Sequence, residues 1–307
     1  MVTVSKTPSE LDLLLNALAG LASTHGEPHI CEAYRLAIEN STLISDMHEF
    51  AECLHQKWLT ERQMISPAVQ ICRVLGNVDT GSGTFSNLVY CILMNDYKDR
   101  YKLRRVSRHF FTNSVQFLFE YFYAKYNSAS RSLNHDHLSG CGSGSNSTLS
   151  TKGSKDDRSK SLQELCKVSK KDTNFYLKGY SLMDDLVNPM YDYLNMLLDA
   201  TATESEIKTF HCVMFMMGPL LEELQPQRMH ELALNLRSSI IENPHKSTEK
   251  AMLIELLEIL NQRWKENEIS ADVRALYDKY RSISYGLNKK VQNEQELDTA
   301  DEERMSG

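Results

Sequence analysis

The sequence predicts an all-α fold in which antiparallel helix hairpins stack side by side as an α-solenoid. Glycine and proline are scarce, at 13 and 7 among 307 residues, and this composition favours helices over turn-rich sandwiches and barrels. Apolar residues recur at spacings of three and four along most of the chain. The strict alternation that is typical of a half-buried strand does not compete with this pattern.

The first 126 residues predict consecutive helices. Residues 1–42 predict N-terminal helices, of which LDLLLNALAGLA follows Ser9. SDMHEFAECLHQKWL predicts a further helix with Ser45 as its N-cap. Helical spacing predicts that its inward face carries Met47, Phe50, Leu54 and Trp58.

Serine, proline and glycine predict the limits of the next helix. In SPAVQICRVLG, Ser66 is the predicted N-cap, Pro67 the first helical residue and Gly76 the stop. The stretches FSNLVYCILMNDYKDRYKLR and RHFFTNSVQFLFEYFYAKY predict the two longest helices of this half.

The composition changes at residues 127–172, which are rich in serine and glycine and poor in apolar residues. Such a segment buries too little apolar surface to offset the entropy lost on ordering, so we predict a disordered insertion. Composition alone leaves open whether the insertion lies inside one domain or links two domains. At the end of the chain, residues 286–307 predict an acidic flexible tail.

Regular helices resume in the second half. In LVNPMYDYLNMLLD, Asn188 is the predicted N-cap and Pro189 the first helical residue. Gly218-Pro219 is expected to kink or restart the next helix, and Pro226 to open the one after it. For the helix predicted in STEKAMLIELLEILNQRWK, the N-cap is expected at Ser247 or Thr248.

The inward faces of these four helices follow from the same spacing. The predicted core residues are Val187, Met190, Leu194 and Leu197; Ile207, Phe210, Met214, Met217, Leu221 and Leu224; Met229, Leu232, Leu236 and Ile240; and Leu253, Leu257, Leu260 and Trp264. A final helix is predicted in ADVRALYDKYRSI.

Charge and cysteine usage limit the class of protein. A net charge of −7 argues against a strongly basic nucleic-acid binder. The seven cysteines contain no C-x-x-C pair, which is typical of reduced, packed thiols in a cytosolic or nuclear protein. Neither a signal peptide nor an apolar run of the roughly 18 residues that span a bilayer is evident, so no membrane association is expected.

The sequence contains no recognisable catalytic constellation. Phosphate-binding glycine motifs, zinc-protease motifs and nucleophile elbows are all missing, so we predict no catalytic residues, no metal site, no cofactor and no small-molecule substrate. His48 and His55 share one predicted helix face, but the sequence offers no carboxylate or cysteine partner at a mechanistic spacing.

The segment YKDRYKLRRVSRHFF, residues 97–111, is the strongest candidate for direct contact with RNA. It holds six basic residues against one aspartate, with aromatic residues between them. Cations can contact phosphates and exposed rings can stack on bases. The candidate RNA-binding residues are Lys98, Arg100, Lys102, Arg104, Arg105 and Arg108. The alternative is a solvated helix end whose aromatic residues belong to the core.

Three stretches in order, LVNPMYDYL, ELQPQRMHEL and LIELLEILNQRWK, resemble the middle domain of translation initiation factor 4-gamma. Within that family, they are most similar to the small stand-alone members that bind the histone-mRNA stem-loop-binding protein. The resemblance covers roughly residues 43–126 and 173–285. It implies a HEAT-like solenoid forming one domain, 43–285, with residues 127–172 as a loop inside it.

The resemblance also implies a function. We expect a non-catalytic adaptor in mRNA translation that bridges an mRNA-bound factor, such as a histone stem-loop-binding protein, to the initiation or export machinery. The expected partners are an mRNA-binding protein, a DEAD-box helicase, RNA and a second copy of the chain, in the cytoplasm and also in the nucleus. One alternative is an initiation adaptor for the nuclear cap-binding complex, and another is a direct RNA-binding protein that uses residues 97–111.

The candidate partner-binding residues lie in or beside the three resembling stretches. They are Asp192, Asn195, Arg228, Glu231, Trp264 and Lys265. Because Arg228 and Glu231 are three residues apart on one predicted helix, the sequence also allows them simply to pair with each other.

Overall fold

In the computed structural model, the described residues are 13–17, 19–20, 47–80, 83–136, 173–265 and 268–285. Within them the secondary structure is helical, apart from one isolated bridge between Asp79 and Thr84. The all-α prediction is therefore confirmed for this part of the chain. The α-helices are α1 Met47–Thr60, α2 Ile65–Val74, α3 Phe85–Lys98, α4 Arg100–Val106, α5 Arg108–Asp136, α6 Thr173–Leu197, α7 Glu204–Leu224, α8 Pro226–Glu242, α9 Ser247–Asn261 and α10 Ala271–Ser284.

Most predicted inward residues are buried. Phe50, Leu54 and Trp58 are fully buried on α1, while Met47 at its start is half-buried. The predicted faces of α6 and α7 are buried as well, except that Leu224 is half-buried. On α9 the prediction is confirmed for Leu253, which is fully buried, but Leu257 and Leu260 are half-buried, as is Trp264 after the helix. The buried face of α9 is Ala251, Met252, Leu253, Glu255, Leu256 and Ile259.

Several predicted helix starts were wrong by one or two residues. A short 3-10 helix, Arg62–Met64, leads directly into α2, so Ser66 lies inside the helix and does not cap it. Ser247 is the first residue of α9, and the N-cap is Lys246, whose N–H donates to Glu249 Oε2 at 2.8 Å. Pro226 at the start of α8 is confirmed. Ser45 lies outside the described residues.

Asn188 and Pro189 do not begin a helix. Helix α6 runs through both residues from Thr173, so the prediction of an N-cap at Asn188 was wrong. Leu186 and Val187 before the proline are buried, and their packing favours continuing the helix although proline supplies no N–H. Gly218-Pro219 likewise lies within α7, and the expected restart does not occur.

Two further boundaries differ from those predicted. The stretch that was predicted as one long helix is divided at Asp99, which separates α3 from α4. Helix α5 reaches Asp136, ten residues into the predicted insertion. Extending an existing helix costs much less than nucleating one, which accounts for a helix end with few apolar residues. Residues 137–172 and 286–307 lie outside the described residues, so the predictions of disorder there are untested.

The chain divides into two compact units, 1–189 and 190–307. In the first unit, Phe50 of α1 lies beside Phe85 at the start of α3, with ring centroids 6.0 Å apart. Further along both helices, His55 contacts Asp96 at 3.1 Å. Helices α1 and α3 therefore run parallel. Helix α2, between them in the chain, has the direction of α5, since Ser66 in its first turn donates to Glu120 and Gly76 just after its end lies beside Lys125.

Helix α5 packs against α1 in the opposite direction. The ring of Trp58 stacks on Phe117 with centroids 3.8 Å apart and planes 5° apart. One residue later in α1, the carbonyl of Leu59 accepts a hydrogen bond from Asn113, which lies earlier in α5. Ring stacking and a buried amide hydrogen bond thus stabilise the same pair of helices.

The second unit repeats this order of directions. The start of α7 contacts the start of α9 through Glu204 and Lys246, at 3.0 Å. In the middle of both helices, His211 Nε2 lies 3.0 Å from Glu255 Oε2. Helices α7 and α9 therefore run parallel. A capping box between Thr203 and Glu206 begins α7; its Thr-x-x-Glu signal is plain in the sequence but was missed.

Candidate interaction surfaces

In the second unit, the last two turns of α6 lie beside α8 and run parallel to it. Near the end of α6, Asp192 accepts a hydrogen bond from Arg228 at 3.1 Å. One turn later, Asn195 accepts one from Asn235 at 2.9 Å. These two contacts are separated by one turn of α6 and two turns of α8, and both are accessible from the surface.

The structure thus brings together four of the six predicted partner-binding residues on one surface. We call this surface the polar strip, and it consists of Asp192, Asn195, Arg228, Glu231 and Asn235. The ion pair of Arg228 crosses from α8 to Asp192 of α6, a partner that the sequence analysis did not consider. Glu231 is exposed and accepts from Gln227 at 3.5 Å.

Tyr191 supports the polar strip from beneath. Its hydroxyl donates to the carbonyls of Leu221 at 2.9 Å and Gln225 at 3.2 Å, which belong to the last turn and the C-cap of α7. Burial raises the pKa of Tyr191 above its usual range. The guanidinium of Arg228 lies 5.1 Å from the centre of the tyrosine ring. Tyr191 therefore acts as a structural anchor beneath the polar strip.

Trp264 belongs to the interior of the second unit more than to its surface. Its indole Nε1 donates to Glu222 Oε2 at 2.5 Å. Its ring lies against Gly218, where an added Cβ would come within 2.0 Å of it. These contacts hold the turn that follows α9 against α7, so the prediction of Trp264 as a partner contact gains no support from its position. Lys265 next to it is exposed and pairs with Glu268 at 2.8 Å.

The basic residues of 97–111 separate into exposed and packed side chains. Arg104 is buried, with its guanidinium 5.5 Å from the centre of the Phe111 ring. Arg100 lies between two tyrosine rings, 4.2 Å from the centre of Tyr97 and 4.7 Å from that of Tyr101. Both arginines pack on aromatic rings, but only Arg104 is buried, so the prediction of Arg104 as an RNA contact is corrected, while that of the half-buried Arg100 stays a prediction.

Three of the remaining basic residues are exposed, whereas Arg108 is half-buried, as Arg100 is. The exposed three lie within four residues of Tyr101 in the sequence, and Tyr101 itself is 65% exposed. We call this exposed group the α4 patch, and it consists of Lys98, Tyr101, Lys102 and Arg105. An exposed ring among cations suits an anionic, base-containing ligand better than an apolar one.

His55 has a carboxylate partner that the sequence analysis did not find. Asp96 Oδ2 lies 3.1 Å from His55 Nε2 and accepts from the Ser114 hydroxyl at 2.8 Å. The serine donates to the carboxylate and not to the imidazole, so the order needed to activate a serine nucleophile is not present. The cluster instead joins α1, α3 and α5 through one buried carboxylate.

A second charged cluster joins three helices of the other unit. Glu255 of α9 contacts His211 of α7 through one oxygen and Arg281 of α10 through the other, at 3.0 and 3.4 Å. Burial lowers the pKa of His211, but hydrogen bonds with Cys212 and Glu255 outweigh it, and the net pKa is raised. Both glutamate oxygens are thus occupied by contacts that hold helices together.

A comparison with protein-family models finds no match, and a comparison with the curated proteins finds none either. In the described part of the chain, no helix has the length and apolar character that crossing a membrane requires. The described side chains also include no group of three or more histidine, cysteine, aspartate or glutamate residues arranged to hold a metal ion.

Proposed function

We propose that this chain is a non-enzymatic, HEAT-like adaptor in mRNA translation, which holds an mRNA-bound protein factor on the surface of its stacked helices. The single observation that carries this proposal is the repeated direction of the helices. In each unit, helices that are next but one in the chain lie side by side and parallel, as α1 and α3 or α7 and α9 do. Stacked antiparallel hairpins produce this order, and the surfaces of such stacks commonly bind other proteins.

The polar strip supports the choice of a surface. It is formed by α6 and α8, which also carry two of the three stretches that resemble the middle domain of translation initiation factor 4-gamma. Its side chains are held in place by hydrogen bonds between helices, so a partner meets a surface that is already ordered. Glu231 and Asn235 are its most exposed members.

Affinity purification of the tagged chain from cytoplasmic extract, with and without RNase, tests the proposal. We expect an mRNA-bound factor or a DEAD-box helicase to remain after RNase, and to be lost from a Glu231→Lys, Asn235→Lys variant. Glu223→Lys, a charge reversal at an exposed site of α7, is the control that should retain it. Loss of every partner with RNase contradicts a protein-binding adaptor. Recovery of the nuclear cap-binding complex would instead favour an initiation adaptor for that complex.

The α4 patch favours a second candidate function, direct binding of single-stranded RNA. Tyr101 is available for base stacking, and Lys98, Lys102 and Arg105 are available for phosphate contacts. Binding of this kind falls steeply as salt is raised, because counterions are released. We expect Lys102→Ala with Arg105→Ala to weaken binding of an oligouridine and reduce its salt dependence. Since Arg104 is buried, its substitution would confuse folding with binding and is not suitable for the test.

A further inference from the structure

Ser107 connects α4 to α5 and follows two arginines. The residues before it are Arg104, Arg105 and Val106, so the local sequence is Arg-Arg-x-Ser. Its backbone is extended, with φ −154° and ψ 116°, and its side chain is half-exposed. Its hydroxyl oxygen accepts a hydrogen bond from the N–H of Phe110 at 3.2 Å.

We propose that Ser107 is a phosphorylation site for an arginine-directed protein kinase, and that its phosphate switches off the α4 patch. Kinases of this class bind the arginines two and three residues before the serine in acidic pockets, and they bind the peptide in an extended conformation. Ser107 already has an extended backbone, and Arg105 and Val106 before it are exposed. The second half of this proposal rests on the RNA-binding candidate function.

The reaction needs only a nucleoside triphosphate and the kinase. The Ser107 hydroxyl oxygen attacks the γ-phosphorus of ATP, and a new P–O bond forms. The bond between that phosphorus and the β,γ-bridging oxygen breaks, and ADP leaves. The hydroxyl proton passes to the catalytic aspartate of the kinase.

One arginine of the motif is protected in the folded chain. Arg104 packs on Phe111, so the last turn of α4 must open before a kinase can bind both arginines. Helix α4 has only seven residues, and helices this short are marginal by themselves. Local opening of such an element is far less costly than global unfolding, so the motif is accessible part of the time.

The phosphate would change the electrostatics of the surrounding surface. Residues 97–111 hold six basic residues and one acidic residue. A phosphoserine adds a charge of roughly −1.5 to −2 beside Arg105 and Arg108. Arg105, which belongs to the α4 patch, would pair with the phosphate in place of an RNA backbone. The first N–H groups of α5 are also favourable neighbours for the added negative charge.

The first test uses the intact chain, ATP and the catalytic subunit of an arginine-directed kinase, with sites mapped by mass spectrometry. A peptide of residues 100–112 serves as the positive control. We expect phosphate at Ser107, its loss in Ser107→Ala, and its retention in Ser128→Ala, which changes an exposed serine of α5. A chain that stays unmodified at Ser107 while the peptide is fully phosphorylated overturns the proposal.

The second test measures the affinity of a labelled oligouridine for the phosphorylated and the untreated chain. Ser107→Ala taken through the same kinase treatment controls for phosphate at other sites. Because Arg105 leaves the contact and the added negative charge repels the RNA backbone, we expect phosphorylation to weaken binding about ten-fold at low salt. Equal affinities overturn the switch. If the oligouridine binds neither form, both the switch and the RNA-binding candidate function are overturned. The sites mapped by mass spectrometry still decide, independently, whether Ser107 is phosphorylated.

Discussion

The indole ring of Trp264 lies so close to Gly218 that a Cβ atom at position 218 would come within 2.0 Å of the ring. The contact joins the turn that follows α9 to α7, across 46 residues of sequence. Trp264 reaches this position with a left-handed backbone, at φ 62°, following Arg263 at φ 51°. Two consecutive non-glycine residues in this region are costly, and the packing and the hydrogen bond of the indole offset the cost.

Gly218→Ala should therefore destabilise the second unit. The new methyl group must displace the ring or the α7 backbone, and overpacking of this kind costs about 1–3 kcal/mol in the free energy of unfolding. Urea denaturation followed by circular dichroism measures the change. In a Trp264→Ala background the same substitution should be neutral or stabilising, since alanine is the better helix former. Equal effects in the two backgrounds would show that the ring does not determine the need for glycine.

The capping box at the start of α7 predicts a smaller loss of stability. Thr203 Oγ1 accepts from the Glu206 N–H at 3.4 Å, and Glu206 accepts from the Thr203 N–H at 2.8 Å. Thr203→Ala removes one of these bonds and should lower the free energy of unfolding by about 1 kcal/mol. Thr203→Ser keeps the acceptor and should preserve most of the stability. A serine variant as unstable as the alanine variant would contradict a capping role.

We expect the substitution of Pro219 to stabilise the folded state. It lies inside α7, is exposed and has no N–H to donate to the carbonyl four residues earlier. Pro219→Ala restores that donor and should raise the free energy of unfolding by roughly 1–3 kcal/mol, less any entropy gained by the unfolded chain. Thermal denaturation provides the measurement. A lower midpoint than that of the wild type would mean that the proline ring makes a packing contribution that exceeds its cost.

The contribution of His211 to the free energy of unfolding should decrease as the pH rises. Because its folded pKa is raised above 6.5, the protonated histidine stabilises the folded state. That contribution is fully present below about pH 6.5 and is lost as the pH rises through the folded pKa. The free energies of unfolding of wild type and His211→Gln should therefore differ more at pH 6 than at pH 8.5.

His245 has the opposite tendency, since burial lowers its pKa, but it is common to both proteins and cancels in their difference. Urea titrations of the two proteins at both pH values supply the comparison. A gap between wild type and variant that grows toward high pH would contradict the role assigned to the His211–Glu255 contact.

The helical character and much of the core could be predicted from the sequence, because helical periodicity records which side of each helix is buried. The seven-residue interval from Phe210 to Met217 and the proline at the start of α8 are examples. Such signals depend on residues within one or two turns of each other. The capping box of Thr203 and Glu206 could also have been predicted from its Thr-x-x-Glu pattern, but it was missed.

Features set by distant residues could not be predicted. Asn188-Pro189 is a good local start signal, yet the buried residues before it keep α6 helical. The carboxylate beside His55 comes from Asp96, 41 residues away. The basic character of residues 97–111 could be predicted from the sequence. That Arg104 packs on Phe111, and is therefore not part of the exposed patch, is visible only in the structure. The polar strip also required the parallel pairing of α6 and α8.

The adaptor claim is tested most directly by tethering the chain to a reporter mRNA through a fused RNA-binding peptide and measuring protein output per mRNA. An adaptor that recruits the initiation machinery should raise this output. The Glu231→Lys, Asn235→Lys variant should lose the increase, while Glu223→Lys should keep it. Output that is unchanged by tethering the wild-type chain, at equal expression, would contradict a role in translation.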